Sequence, residues 1–213
     1  MDLPKLLLKP GKDKSIVRHH PWIFSGAIKA QEGVIDEGAF VQVVANKGRH
    51  LGYGHYQTGS IMVRVLLFAE EELTEDLYHD RIKAAYALRQ SLGLADSEET
   101  NIFRLIHAEG DFLPGLIIDH YAGHLVIQCH SIGMYLDVEK IKDALLAVMG
   151  DKVKSIYLKC TGTLPKTYEG YTGDRFLHGE VETPQIALEY GNKFAINWIT
   201  GQKTGFFIAS QGS

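Results

Sequence analysis

Cysteine is scarce in this chain: two residues in 213, Cys129 and Cys160, far apart in the sequence. That excludes a closely spaced thiol pair of the kind a zinc knuckle or a dithiol redox motif uses, and both are read as free thiols. Long apolar runs are also lacking, and none reaches the length needed to cross a bilayer, so no membrane partner is expected. The opening MDLPKLLLKPGKDK has neither the apolar core nor the small-residue cleavage site of a secretory signal, which predicts a cytoplasmic protein. A general excess of positive charge is missing too: 22 Lys and Arg stand against 26 Asp and Glu, a net charge of −4. There is no internal repeat and no low-complexity segment. What remains is an ordinary globular composition, 45% hydrophobic and 23% charged. A chain of this length buries about 70–75% of the surface its unfolded form exposes, without help from a metal or a disulfide.

The charge is unevenly spread. Residues 1–68 hold nine basic and five acidic side chains, whereas residues 69–213 hold 13 and 21. The change falls at Phe68, just before AEEELTED, and predicts a domain boundary there. A basic first part facing a polyanion explains the asymmetry. Chance clustering of solvated charges explains it as well, so the split alone decides nothing.

The first part reads as a small β-rich unit. LPKLLLKP is a short strand closed by Pro10 and Gly11, and KDKSIVRHH supplies one or two helical turns before Pro21. WIFSGAI, AFVQVVA and IMVRVLLF carry the β-branched and aromatic residues of strands, and the Asn46-Lys47-Gly48 tip suits a hairpin. Short strands at this spacing predict a closed or half-closed barrel.

The second part mixes classes. LTEDLYHDRIKAAYALRQSLG places Leu73, Leu77, Ile82, Ala85 and Leu88 at mostly helical spacing, with Thr74 as its cap and Gly93 as its stop. NIFRLIHAEGDFLPGLIIDHYAGHLVIQCHS reads as three strands joined by two turns. YLDVEKIKDALLAVMG returns to helix with Val138, Ile141, Leu145 and Val148 on one face. SIYLKC is a further strand, and QIALEYG with KFAINWI forms a hairpin around Gly191-Asn192. Strands around a covering helix predict an α+β layer.

Several segments invite a chemical reading. GYGHYQTG begins like a dinucleotide fingerprint, but its third glycine is misplaced and a strand follows where a helix N-terminus is required. GQKTG, residues 201–205, lacks the spacing of a phosphate loop. His120 and His124 are four apart but fall on a strand-turn-strand segment with no Cys or carboxylate at a ligand interval, so hydrogen-bonded histidines are expected and no metal site. Glu109, Asp111 and Asp119 offer carboxylates for acid–base work, although Asp111 sits in a Gly/Pro turn where such a side chain caps its own backbone. Cys160 needs an activating base to be a nucleophile, and a lone strand-end cysteine reads better as inert. No catalytic residue is assigned.

RHHPWIFSGAI, residues 18–28, puts cationic groups beside flat rings. Arg18 with Lys12 and Lys14 upstream, His20 beside them, and Arg49 and Arg64 further along supply charge for phosphates. Trp22, Phe24, Tyr53 and Tyr56 either fill the barrel or stack on bases. Alternation puts Trp22 and Phe24 on one face, so at least one belongs to the core.

RHHPWIFSGAI also resembles the start of the PUA domain, an RNA-binding barrel, in a family of bacterial and archaeal S-adenosylmethionine-dependent rRNA cytosine methyltransferases. HAEGDFLPGLIIDHY resembles the acidic-Gly-Leu-Pro-Gly hairpin of that family's middle domain, and NWITGQKTGFF the segment leading into its catalytic domain. The resemblance spans nearly the whole chain. It implies an α+β fold class made of a PUA-like barrel over 1–68, a middle α+β domain over 69–200, and a truncated start of the methyltransferase domain over 201–213, with the Rossmann-like methyltransferase domain itself absent. It further implies RNA contacts at Lys12, Lys14, Arg18, His20, Arg49 and Arg64, and a border with the cofactor domain at Lys203, Thr204, Phe206 and Phe207. The loop TGTLPKTYEGYTGD departs from the family, which carries more Arg and Lys there. The cofactor implied is S-adenosylmethionine, bound by the full-length family and not by this chain. The partner implied is rRNA, with a homodimer as the family's assembly. The expected role is docking of rRNA for cytosine-5 methylation by a domain outside this chain, which alone is inactive. The competing expectation is a free-standing RNA-binding adaptor.

Overall fold

A computed structural model describes residues 3–171, 173–201 and 204. Leu6 and Leu8 alternate into the interior from β1 (Lys5–Leu8), and α1 (Lys14–Val17) is one turn whose Ile16 is buried against them. There follow β2 (Trp22–Phe24), β3 (Ile28–Glu32), β4 (Phe40–Val44), β5 (His50–Tyr56) and β6 (Ile61–Phe68). They form one six-stranded sheet in the order β2-β6-β5-β4-β1-β3, with β1 and β4 parallel and the other pairs antiparallel. WIFSGAI, expected as one strand, is broken by a 3-10 turn at Ser25–Ala27. The reason lies in pairing: β2 bonds to β6 at one edge of the sheet, and β3 bonds to β1 at the other. Three residues span at most about 11 Å, so the sheet is rolled until its edges nearly meet. Val41, Val43, Leu51, Val63, Val65 and Ile23 fill the roll.

Two glycines of GYGHYQTG, Gly52 and Gly54, have a packing role inside this sheet. They lie on β5, where a Cβ at Gly54 would stand 2.2 Å from the Arg64 carbonyl oxygen and one at Gly52 2.3 Å from that of Leu67. The obstacle in both cases is the β6 backbone, which has no rotamer to relax. Gly54→Ala is therefore expected to cost about 1–3 kcal/mol, by analogy with an overpacked core. A urea midpoint unchanged from the parent would refute this.

The second unit begins with α2 (Leu77–Ser91), followed by β7 (Ile102–His107), β8 (Leu116–Tyr121), β9 (His124–Cys129), α3 (Ile132–Leu136), α4 (Val138–Met149), β10 (Ser155–Leu158), β11 (Arg175–His178), β12 (Gln185–Glu189) and β13 (Asn192–Ile196). Thr74 does not cap α2; Asp76 holds that position. Leu73 lies outside the helix and Leu88 is half-exposed, while Tyr78, Tyr86 and Arg89 are buried instead. The single helix expected over residues 135–150 is two, meeting at Asp137. The hairpin tip is Tyr190-Gly191, both at positive φ as a type I′ turn requires, one residue earlier than expected.

The expected class, a PUA-like barrel followed by an α+β domain, is corrected here. Strands β7 to β11 form a mixed sheet in the order β11-β10-β9-β8-β7. Its β9 and β10 run parallel, and the connection between them contains α3 and α4. Parallel neighbours require such a crossover, so strands and helices alternate here instead of segregating. Both faces of the sheet are covered. Leu105, Ile118, Leu125, Ile127 and Ile156 pack with Ile82, Ile141 and Leu145 of the helices, while Tyr121, Val126 and Tyr157 pack with Ala187, Ile196 and Trp198 of the C-terminal hairpin region. This is why all six residues of β9 are buried.

The packing runs through Phe68 without a break. Leu66 and Leu67 of β6 belong to the larger core, and Phe40 and Tyr53 pack against it. A polar joint reinforces the junction. The Asp137 Oδ2 accepts from the Tyr78 hydroxyl at 2.6 Å and lies 3.1 Å from the His55 Nε2 on β5, while Lys140 donates to Oδ1 at 2.7 Å. Burial would raise the Asp137 pKa, but these partners hold it well below the usual carboxylate range.

Candidate nucleic-acid interface

The basic N-terminal residues are brought to one surface in part. Lys12, Lys14, Arg18 and His20 are all exposed around α1. Arg49, exposed on the β4–β5 hairpin, reaches Asp13 through a 3.0 Å ion pair, which fastens that hairpin to the helix. Next to Arg18, His19 pairs with Glu70 at 2.7 Å, so this surface is not purely cationic. Lys9 and Lys29, passed over in the sequence, spend their ammonium groups on Gly26 and Asn46.

Arg64 is different. It is half-buried on β6, opposite Trp22 on β2 and opposite His55 on β5, and residues opposite one another share a sheet face. That face looks toward the second unit: the stem of Arg64 passes Gly115, and the Trp22 indole N–H donates to Glu109 at 2.9 Å. Burial lowers the Arg64 pKa, and Glu109 and Tyr168 oppose the shift; the guanidinium stays charged. Tyr168 is itself pinned by donating to Glu37, and Glu37 also accepts from the Thr58 hydroxyl and from its amide. His20, Trp22 and Phe24 form a line of rings, each edge-on to the next at 5.9 and 6.4 Å.

The candidate acid–base carboxylates are structural. Asp111 accepts from Arg89 at 2.6 and 2.7 Å and from the His107 amide at 2.6 Å, so the turn-capping reading holds with an ion pair added. Asp119, fully buried, holds Arg104 at 2.8 and 3.1 Å. Of the expected border residues, Lys203, Phe206 and Phe207 lie outside the described residues. Thr204 is buried, donating to Asp119 at 2.7 Å and accepting from Tyr121 at 2.9 Å. The pairing of Arg89 and Arg104 with these carboxylates went unread, because partners 22 and 15 residues apart leave no periodic trace.

The two cysteines, distant in sequence, are neighbours at the ends of β9 and β10: the Cys129 amide donates to the Cys160 sulfur at 3.3 Å. Both are free thiols and buried. His120 and His124 are buried and hydrogen-bonded. The Gly123 amide donates to the His120 Nε2 at 3.2 Å, so the proton sits on Nδ1 and is donated to the Asn101 carbonyl at 3.0 Å. Burial pushes both imidazoles down to about 4. Among the described residues no group of three or more His, Cys, Asp or Glu side chains is placed to hold a metal ion, and no helix is long and apolar enough to cross a membrane.

A rolled six-stranded sheet joined to a mixed sheet with helices, its exposed edge basic and aromatic, defines a class: the PUA-like domain family model matches residues 6–68. Particular proteins are similar along far more of the chain. Ribosomal RNA large subunit methyltransferase I of Shewanella amazonensis is 38% identical over 212 residues, covering 96% of this chain and 51% of the relative. The protein of the same description in Vibrio vulnificus is 32% identical over 210 residues, covering 98% and 52%. Among solved structures, a Streptococcus mutans protein described as a candidate SAM-dependent methyltransferase aligns with TM-score 0.76 at 18% identity, covering 96% of this chain and 51% of that one. A second, described as a candidate methyltransferase complexed with SAH, aligns with TM-score 0.77 at 18% identity, covering 96% and 50%. The chain thus spans about half the length of the curated relatives it matches. The likeness runs to a PUA-like domain at residues 6–68 and, along nearly the whole chain, to about half of proteins described as ribosomal RNA large subunit methyltransferase I. These findings also complete the correction of the fold class. Two solved structures that match 96% of the chain, each over about half of its own length, share this fold, so the mixed-sheet arrangement replaces the expected class.

Proposed function

We propose that these residues dock ribosomal RNA for a SAM-dependent methyltransferase that modifies cytosine at carbon 5, in the cytoplasm. The observation that carries the proposal is the PUA-like match over residues 6–68 together with the exposed Lys12, Lys14, Arg18 and His20 beside the Trp22 and Phe24 rings. Flexible cations on a surface suit phosphates, whose neutralisation positions RNA without reading its sequence. The curated relatives bear the description of rRNA methyltransferases, which agrees with this role.

GYGHYQTG does not have the shape of a cofactor turn. A SAM site of the usual kind wants a glycine-rich turn opening onto a helix, with an acidic residue for the ribose. Gly52 and Gly54 of GYGHYQTG are instead pressed against the β6 backbone within a sheet. The contribution of the basic and aromatic side chains is gripping and orienting the polynucleotide.

The test is RNA binding as a function of salt. Log affinity is expected to fall linearly with log salt, and Lys14→Ala with Arg18→Ala is expected to reduce the slope by about 2, one for each phosphate no longer neutralised. A slope unchanged by the double substitution would remove the N-terminal face from the interface.

A further inference from the structure

We infer that the junction of the rolled sheet and the second unit around Arg64 is a seat for an unpaired RNA segment, with a phosphate held at Arg64 and bases laid against the rings of Phe24, Trp22 and His20. The inference rests on the RNA-docking reading and names the kind of RNA and the site that takes it.

Three observations meet at this place. The first is an unspent cation. The Arg64 Nη1 is buried without a hydrogen-bond partner among the described residues. A guanidinium half out of water with an idle donor is costly, and folded proteins seldom leave one without a reason. Glu109, the carboxylate whose charge acts on Arg64, does not fill that role, because its Oε1 accepts from the Trp22 indole instead. The second is a deliberate close approach. Gly115, at φ +89°, lies where a Cβ would meet the Ser131 hydroxyl at 2.7 Å and the Arg64 Cδ at 3.5 Å. The first contact would force a shift at Ser131, whereas the second is an ordinary van der Waals distance, so the Arg64 stem lies packed along the Gly115 backbone. The third is the line of rings. Phe24 is 49% exposed on an edge strand, where a large apolar side chain has no folding role, and Trp22 is oriented by its bond to Glu109.

The chemistry selects the ligand. Aromatic faces beside an arginine take bases that are out of their stack, because a paired base offers only its edge. His130, exposed nearby, adds a neutral imidazole: loss of hydration, helped by Arg104 and Arg64 and opposed by Glu109, holds its pKa below the usual imidazole range. The charged and titratable groups facing Arg64 are thus Glu109, Tyr168 and His130. Glu109 is the one that opposes an anion. Its negative charge limits how strongly this seat binds, and its removal is expected to tighten binding.

The experiment measures fluorescence anisotropy of a labelled ten-nucleotide unpaired oligoribonucleotide and of a duplex RNA of the same length at about 50 mM salt, against the whole chain. Arg64→Met keeps the aliphatic stem against Gly115, Phe24→Ala removes an exposed ring, and Glu109→Gln removes the opposing charge. Expected are at least tenfold tighter binding of the unpaired RNA than of the duplex, weakening of about tenfold by each of the first two substitutions with one phosphate fewer in the salt slope for Arg64→Met, and tightening of roughly twofold to fivefold by Glu109→Gln. Melting temperatures separate binding from folding: if Arg64→Met unfolds, the Phe24 and Glu109 variants decide. Parental binding by Phe24→Ala and Glu109→Gln, with loss on substitution of Lys14 and Arg18, overturns the seat while leaving RNA docking in place. Equal affinity for duplex and unpaired RNA also overturns it. No binding of either RNA by the parent at low salt removes the docking reading itself, and the seat with it.

Discussion

Acidification from pH 7 to pH 5 is expected to lower the melting temperature of this protein by about 10 °C. The cause is the pair His120 and His124, both held near pKa 4 by burial. An unfolded histidine titrates near 6.5, so between about pH 6.5 and 4 the unfolded chain binds protons that the folded one refuses. For a folded-state pKa that is depressed on a base, stability is fully present above the unfolded value and is lost as pH falls toward the folded value. Two such groups lose about 3–4 kcal/mol by pH 5, and about 2–4 °C accompanies each kcal/mol in a protein of this size. Both rings are locked as neutral partners, His120 between the Asn101 carbonyl and the Gly123 amide, His124 against Ser155 at 2.9 Å and stacked on Trp198 at 5.2 Å. Replacing His120 with Gln, which keeps a donor and an acceptor, should flatten roughly half of the slope. A melting temperature constant from pH 7.5 to 5 would show that these rings charge freely in the fold. Asp137 acts in a separate window. Its carboxylate is stabilised above its ordinary pKa near 3.8, and that contribution disappears only as pH falls below it.

Asp111→Ala is expected to destabilise the fold by about 3–5 kcal/mol, the usual result of stripping one partner from a buried ion pair. Arg89 would keep its Nε bond to the Arg104 carbonyl but lose both bonds to the carboxylate, leaving a largely buried charge without its counter-ion. The His107 amide would lose its acceptor as well. Removing the charge together with its partner, Asp111→Ala with Arg89→Met, should recover part of the loss, because the stranded guanidinium accounts for much of it. A urea midpoint for Asp111→Ala within about 1 kcal/mol of the parent, at unchanged m, would mean that Arg89 finds solvent or another acceptor. The pair also bears on function. It ties the end of α2 to the turn that carries Glu109, and Glu109 orients Trp22 at the junction with the rolled sheet. Asp111 substitution is therefore expected to disturb RNA binding only as far as it loosens that turn.

Much of the strand content was legible. IMVRVLLF, AFVQVVA and SIYLKC are strands because β-branched residues alternate between turn signals, and each appears as β6, β4 and β10. The reading failed where distant partners decide. WIFSGAI had the composition of one strand, yet its halves bond to opposite edges of a sheet. Leu73 and Leu88 had helical spacing, yet Tyr78 and Arg89 were buried in their place because Asp137 and Asp111 waited for them across the fold. β11 went unread because RFLH is short and polar-flanked and takes its place from pairing with β10. At the candidate interface, residue types drew attention to Lys12, Lys14, Arg18 and Arg64 alike, but spacing could not tell a solvated lysine from an arginine lodged between two units.

The sequence by itself determined the local matters: where turns fall, which stretches pair as strands, the uneven charge and the aromatic edge, since these depend on side chains within a few positions of one another. Tertiary structure alone decided the mixed character of both sheets, the neutral state of His120 and His124, and the convergence of Trp22, Arg64, Glu109 and Gly115 at one junction. The physical reason is that burial, and with it the cost of an unpaired charge or proton, is set by what lies across the fold, and chain order does not record those neighbours.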